Sequence, residues 1–238
     1  MADRFERFIA SYLRLNGYFT IPNFIVHAAD DPKRISTGQV GNYTETDIIG
    51  VRMPYSREIT GKLHIANDPV LTEGATGKID VVIAEVKSGV DNKPNKVWRR
   101  TKRNEAITYL VRFIGLHKES DLSQVAESLA TKFRYEDKRC RLRYIVFAPV
   151  ANKHYKKLGV SYITFREAIS FIVEVRGNCW INKNIGVASV HHQWGSVLVE
   201  IFNIANRIDQ PTSDRVKAIE SLLAVDVTNG AVGTDLEL

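Results

Sequence analysis

Cysteine is scarce in this sequence: its 238 residues hold two, Cys140 and Cys179. No Cys-x-x-Cys pair occurs, which argues against a disulfide framework and against a zinc site built from cysteines, and points to a reducing, cytoplasmic compartment. Long apolar runs are missing as well. No stretch approaches the roughly 20 apolar residues that span a bilayer, so no membrane partner is expected. The opening MADRFERFIASYLRLNGYF scatters charges among its apolar residues and lacks the separate hydrophobic core of a signal peptide. No glycine-rich phosphate loop of the Walker type occurs, which leaves nucleotide-driven movement without support. Internal repeats and low-complexity tracts are also lacking.

What is present suits a folded protein: 44% of residues are hydrophobic and 25% charged, enough for one large domain with a substantial core. Lysine and arginine number 33 against 27 aspartates and glutamates, a formal charge of +6. A positive field raises the local concentration of phosphates, so a polyanion is the partner this charge favours, with a merely solvated cationic surface as the plainer alternative.

Periodicity sets out the elements. Phe5, Phe8, Ile9, Tyr12 and Leu13 recur at helical spacing, with Asp3 placed to cap the first turn and Gly17 to close the helix. Residues 18–26 (YFTIPNFIV) form a strand in which Pro22 marks an edge or a bulge. A second strand is expected over 46–53 and a third, nearly all apolar, over 79–87 (IDVVIAEVK). The 25 residues 54–78 between them read as an inserted loop or hairpin, and loops of that length are often functional. Helices follow over 97–116 and 122–133, then a fourth strand over 143–149. Beyond it, Thr164 and Glu167 have the spacing of a capping box ahead of a helix that Gly177 ends, and helices over 190–208 and 212–223 complete the order. The chain thus divides into a core over 1–160, a helical extension packed on it over 161–227, and a flexible tail over 228–238.

Chemistry concentrates at the end of the third strand. Glu85 and Lys87 are two residues apart, so on extended backbone they project from one face, roughly 7 Å apart. Charged groups in an element otherwise built for burial are costly unless paired or ligated. Asp47 enters the second strand in the same manner, a lone acid ahead of Ile48, Ile49 and Val51. If those strands pair in suitable register, Asp47 and Glu85 converge on one hard cation with coordination positions left open. Asp80 is a rival acid, but its parity on the strand is opposite to that of Glu85 and sends it to the other face. A simple salt bridge between Glu85 and Lys87 is the structural alternative.

Asp47 in TETDIIGVR and Glu85-Val86-Lys87 in AEVKSG, within a helix, three strands, helix, strand order over residues 3–149, resemble the PD-(D/E)XK nuclease superfamily. The resemblance implies an α/β restriction-endonuclease-like core, a central mixed sheet flanked by helices, here with additional C-terminal helices. It also implies that Asp47 and Glu85 hold Mg²⁺, with Mn²⁺ able to substitute, that Val86 lends its backbone carbonyl, and that Lys87 orients or activates the attacking water. Thr46 stands where the family name has proline, and the insertion over 54–78 explains the 38 positions from Asp47 to Glu85. Some members place an acid on the first helix, which makes Glu6 a candidate; Asp3 and Glu6 are alternatively a capping pair.

The implied activity is hydrolysis of phosphodiester bonds, by an endonuclease more than an exonuclease, on DNA in preference to RNA, in a setting such as antiphage defence or DNA repair. A homodimer or a larger complex suits the cutting of two strands. The alternative is a non-catalytic nucleic-acid-binding or scaffold protein that keeps the fold. Lys93, Lys96, Arg99, Arg100, Lys102 and Arg103 follow the site directly, with Trp98 among them, and are expected to meet the phosphate backbone. His191 and His192 would point about 100° apart on a helix and make a poor metal pair, while Trp194 falls on an apolar stripe and reads as core.

Overall fold

The structure, a computed structural model, describes residues 4–27, 42–56, 58–60, 63–89, 93–99, 104–178 and 196–223. Asp3, Arg100, Lys102, Arg103, His191, His192, Trp194 and the tail over 228–238 lie outside the described residues.

Helix α1 (Arg4–Leu15) buries Phe8, Ile9, Tyr12 and Leu13, the stripe its spacing predicts. Gly17 ends it: its φ of 84° is open to a residue without a Cβ, and its N–H donates to the Arg14 carbonyl at 2.9 Å. The chain then enters β1 (Tyr18–His27), which runs antiparallel to β2 (Asn42–Arg52). β2 runs antiparallel to β5 (Ile79–Val86), and β5 parallel to β7 (Cys140–Ala148). The first half of β7 pairs antiparallel with β6 (Arg134–Glu136), its second half parallel with β8 (Ser161–Thr164). The result is a mixed sheet of six strands with β1 at one edge, where Pro22 is tolerated, and with Asn23 bent into the left-handed region (φ 53°) beside that proline.

Two-residue alternation on β5 serves two cores. Val82 and Ala84 face α1, α7 (Phe165–Phe171), α8 (Ser196–Ala205) and α9 (Thr212–Leu222). Val81 and Ile83 face α4 (Asn104–Ile114) and α5 (Leu122–Lys132), together with Val97 and Trp98 of the short helix α3 (Lys96–Arg99). All four β5 side chains are fully buried, which is why this strand reads as an unbroken apolar run. The C-terminal helices complete the core on their side: Phe165 stacks on Phe5 at 5.0 Å and meets Phe8 edge-on at 6.3 Å. Among the described residues no helix is long and apolar enough to cross a membrane.

The helix expected over 97–116 is described over α3 and α4, and residues 100–103 between them lie outside the described residues. The sheet does not stop at residue 160: β8 opens the stretch assigned to the helical extension and is hydrogen-bonded to β7. Of the loop or hairpin expected over 54–78, the described residues form a hairpin of β3 (Glu58–Thr60) and β4 (Leu63–Ile65), followed by α2 (Pro69–Thr72). Helix α6 (Lys153–Leu158) and strands β6 and β8 were not anticipated, because each is short and carries at most one fully buried apolar residue to mark a period.

Candidate active site

β2 and β5 pair with Ile48 opposite Ala84, so the next step along both strands sets Asp47 opposite Glu85. Directly opposed residues of an antiparallel pair share a face, and Lys87, two further along, shares it too. The side-chain geometry agrees. Lys87 Nζ lies 2.5 Å from Glu85 Oε1, and Asp47 Oδ2 accepts the Val86 backbone N–H at 2.5 Å. Asp47, Glu85 and Lys87 therefore meet at the carboxyl end of β5.

Burial differs among them in a useful way. The Glu85 side chain is 3% exposed and the Lys87 side chain 22%, so the site is anchored in the core and opens at its lysine. Burial pushes the Asp47 carboxyl up to about 7; the Val86 N–H opposes this, the nearby charges of Glu85 and Glu6 add to it, and Lys87 opposes it. Glu6 thus belongs to the electrostatic surroundings of the site, reached from the other layer by α1.

Two residues that sequence reasoning did not single out hold the glutamate. The Asn95 backbone N–H donates to Glu85 Oε1 at 2.8 Å and Oε2 at 3.0 Å, while its side-chain Oδ1 accepts from Lys87 Nζ at 2.8 Å. The Tyr144 hydroxyl, on β7, donates to Glu85 Oε2. Burial first, then the Glu85 charge, raises the tyrosine well above its ordinary range, so it acts as a fixed donor. Trp98 stacks on Tyr144 with ring centroids 4.1 Å apart, and this places the start of the basic run against the site. Asn95 had no signal in the sequence; for Tyr144 the one clue was a hydroxyl in a buried strand, which needs a partner.

The basic run divides. Lys93 is exposed just before Asn95, and Trp98 is buried in the core and leaves no ring for contact with phosphates. The side chains of Lys96 and Arg99, like Arg100, Lys102 and Arg103 as a whole, lie outside what the structure describes. Asp80 faces the opposite side of the sheet, as its parity predicts, and is bound there by Arg141 and Arg143.

Donor chemistry tests the fit to a cation. Two carboxylates opposed across a strand pair, a third acid near enough to be felt, and the backbone beside them offer only hard oxygen ligands. That set suits Mg²⁺ or Mn²⁺ and not a soft ion. Like charges gathered with one lysine among them are also what a divalent cation relieves. Asp47 and Glu85 would hold it, with the Val86 carbonyl adjacent. No known protein family, curated protein or solved structure matches this chain.

Proposed function

We propose that this chain is a metal-dependent nuclease that hydrolyses phosphodiester bonds in nucleic acid, DNA in preference to RNA, and that it belongs with the PD-(D/E)XK enzymes. The observation that carries the reading is the register of β2 on β5, which sets Asp47 across from Glu85 with Lys87 on the same face. The sheet adds support, since six strands paired in both directions and flanked by helices are compatible with the central mixed sheet that the resemblance implies.

Asp47 and Glu85 would bind the cation, which when bound supplies Lewis-acid polarisation of the phosphate and its nucleophile. Lys87 sits at the open side of the pair, where its ammonium can orient a water and stabilise the charge that builds on the phosphate. Asn95 holds that ammonium in place from its other side. Tyr144 and the Asn95 N–H fix the carboxylate of Glu85, so the site is organised before substrate arrives.

The deciding experiment incubates the purified chain with labelled DNA and RNA, single- and double-stranded, with Mg²⁺, Mn²⁺ or chelator. Metal-dependent cleavage is expected, reduced by roughly 10²–10⁴-fold in Lys87→Ala and Glu85→Gln, with circular dichroism unchanged. Full cleavage by Lys87→Ala would sink the reading. One observation favours the alternative of a non-catalytic nucleic-acid-binding protein: Glu85 already accepts from Lys87, Asn95 and Tyr144, as a satisfied structural carboxylate does. Calorimetry with Mn²⁺ separates the two, because the nuclease reading requires binding that Asp47→Asn abolishes.

A further inference from the structure

We propose that His117, Asp137 and Cys140 form a second metal site, for a borderline cation of the Zn²⁺ class, remote from the acidic site. One ligand atom from each of the three lies within 4.8 Å of the others. They come from two places in the chain: His117 from the connection between α4 and α5, and Asp137 and Cys140 from the β6–β7 connection and the first position of β7.

Distances favour coordination. Cys140 Sγ and His117 Nε2 are 3.4 Å apart. In a tetrahedral zinc centre, with Zn–S about 2.3 Å and Zn–N about 2.0–2.1 Å, those two atoms sit roughly 3.5 Å apart. The sulfur–nitrogen edge of the tetrahedron therefore exists already, and the Asp137 carboxylate lies within 4.8 Å of both atoms, close enough to complete a face by a small movement.

The turn holds its two ligands firmly. Asp137 Oδ1 accepts the N–H groups of Arg139 and Cys140 at 2.7 and 2.8 Å, and the Asp137 N–H donates to the Cys140 carbonyl at 2.9 Å. Asp137-x-x-Cys140 thus repeats the two-residue spacing of ligand pairs in structural zinc sites. Tyr135 meets the His117 ring edge-on, centroids 5.0 Å apart, and limits its rotation.

Ligand chemistry separates this site from the first. A thiolate, an imidazole and one carboxylate select Zn²⁺ over Mg²⁺, whereas the acids at Glu85 offer only oxygen. Cys140 is buried while His117 and Asp137 are half-buried, so a fourth position is left to solvent. Binding forms bonds to sulfur, nitrogen and oxygen and releases the thiol proton to water. Cys140 pairs with Ile79, six residues before Glu85 on β5, so the two sites lie about 20 Å apart along the strand. At that distance the second cation would join the α4–α5 connection to the β6–β7 turn and take no part in chemistry at the first.

The test uses the full chain, stripped with chelator, kept reduced and titrated with Co²⁺ and then Zn²⁺. A thiolate-to-cobalt charge-transfer band with the strong visible absorption of tetrahedral cobalt is expected, lost when Zn²⁺ displaces it. Cys140→Ser should remove the band; Cys179→Ser and Asp47→Asn should keep it. His117→Gln should weaken Zn²⁺ binding beyond the roughly 10–100-fold that losing an outer hydrogen-bond partner of a ligand costs. Absence of the band in the wild-type chain, or its survival in Cys140→Ser, overturns the proposal. If Cys140→Ser fails to fold, His117→Gln decides in the same way, since unchanged affinity there is equally fatal. Because Asp47→Asn must retain this band, failure here and failure of the nuclease reading are distinguishable.

Discussion

Asp80 and Glu85 lie five residues apart on β5, face opposite layers and are stabilised by different means. Asp80 accepts from Arg141 Nε at 2.8 Å, from Arg143 Nη2 at 2.7 Å and from the Tyr18 hydroxyl. Burial alone would raise its pKa; the Arg141 hydrogen bond, the Arg143 charge and the tyrosine outweigh burial and hold it below the ordinary carboxylate value. Asp80→Asn leaves two largely buried guanidinium groups uncompensated and should cost about 3–5 kcal/mol by urea denaturation. The pH dependence follows in sign. With the folded pKa depressed, the contribution of Asp80 is complete above the unfolded value of about 3.9 and disappears as pH falls through the folded one. Wild-type stability should therefore drop below about pH 4 more steeply than that of Asp80→Asn; parallel curves from melts across that range would refute the assignment. Parity along β5 is enough to separate Asp80 from Glu85 in the sequence. The arginines that neutralise Asp80 were not legible, because they arrive from β7, over sixty residues away.

Among the elements, the insertion over 54–78 shows how a long connection can be structural. Asp68 caps α2 through the Val70 N–H at 3.0 Å, and it also accepts from the Tyr12 hydroxyl at 2.6 Å while its own N–H donates to Asn16 Oδ1 at 2.6 Å. The carbonyls of Leu71 and Glu73 then accept from Arg143 and Arg141. The α2 region of the insertion is thus bound to the end of α1 and to the Asp80 end of β5, away from Glu85. A functional loop was the natural reading of its length, but its polar residues are committed to holding elements together. Asp68→Ala should cost at least the roughly 0.5–2 kcal/mol of a lost cap, with the loss of the tyrosine contact added. The capping box at α7 was legible and is present: Thr164 Oγ1 accepts the Glu167 N–H at 3.2 Å and the Thr164 N–H donates back to Glu167 at 2.6 Å. Thr164→Ala should lower stability by about 1 kcal/mol, and Phe165→Ala, which removes the ring between Phe5 and Phe8, by about 3–5 kcal/mol. Equilibrium unfolding of both variants checks the difference between a local cap and a core side chain.

For the molecule as a whole, the C-terminal helices are part of the core that backs the site. Ile201, Phe202, Val216 and Ile219 share one cluster with Phe8, Tyr12 and Val82. Truncation ahead of α8 should uncover that cluster, with dye binding and a broadened thermal transition as the readout; a cooperative, dye-silent fragment would show the helices to be dispensable. The net charge of +6 has a separate consequence. If nucleic acid binds through phosphate contacts, the logarithm of affinity should fall linearly with the logarithm of salt concentration, by roughly one slope unit per phosphate neutralised. Binding in filter or anisotropy assays that ignores salt would remove the electrostatic part of the proposal.

Local rules were sufficient wherever the determining contact lies within a few residues. The helical stripe of α1, the apolar run of β5, the shared face of Glu85 and Lys87, and the cap before α7 all follow from periods of 3.6 and 2 and from side chains that reach their own backbone. The sequence by itself therefore determined the α/β class and the shared face of Glu85 and Lys87. Tertiary structure decided what depends on pairing across long loops. The register of β2 on β5 brings Asp47 to Glu85, the parallel placement of β7 delivers Tyr144, and the β6–β7 turn meets His117 from another connection. The physical reason is common to all three: strand register and loop closure are fixed by packing of the complete core, and no local pattern within any one segment encodes its partner.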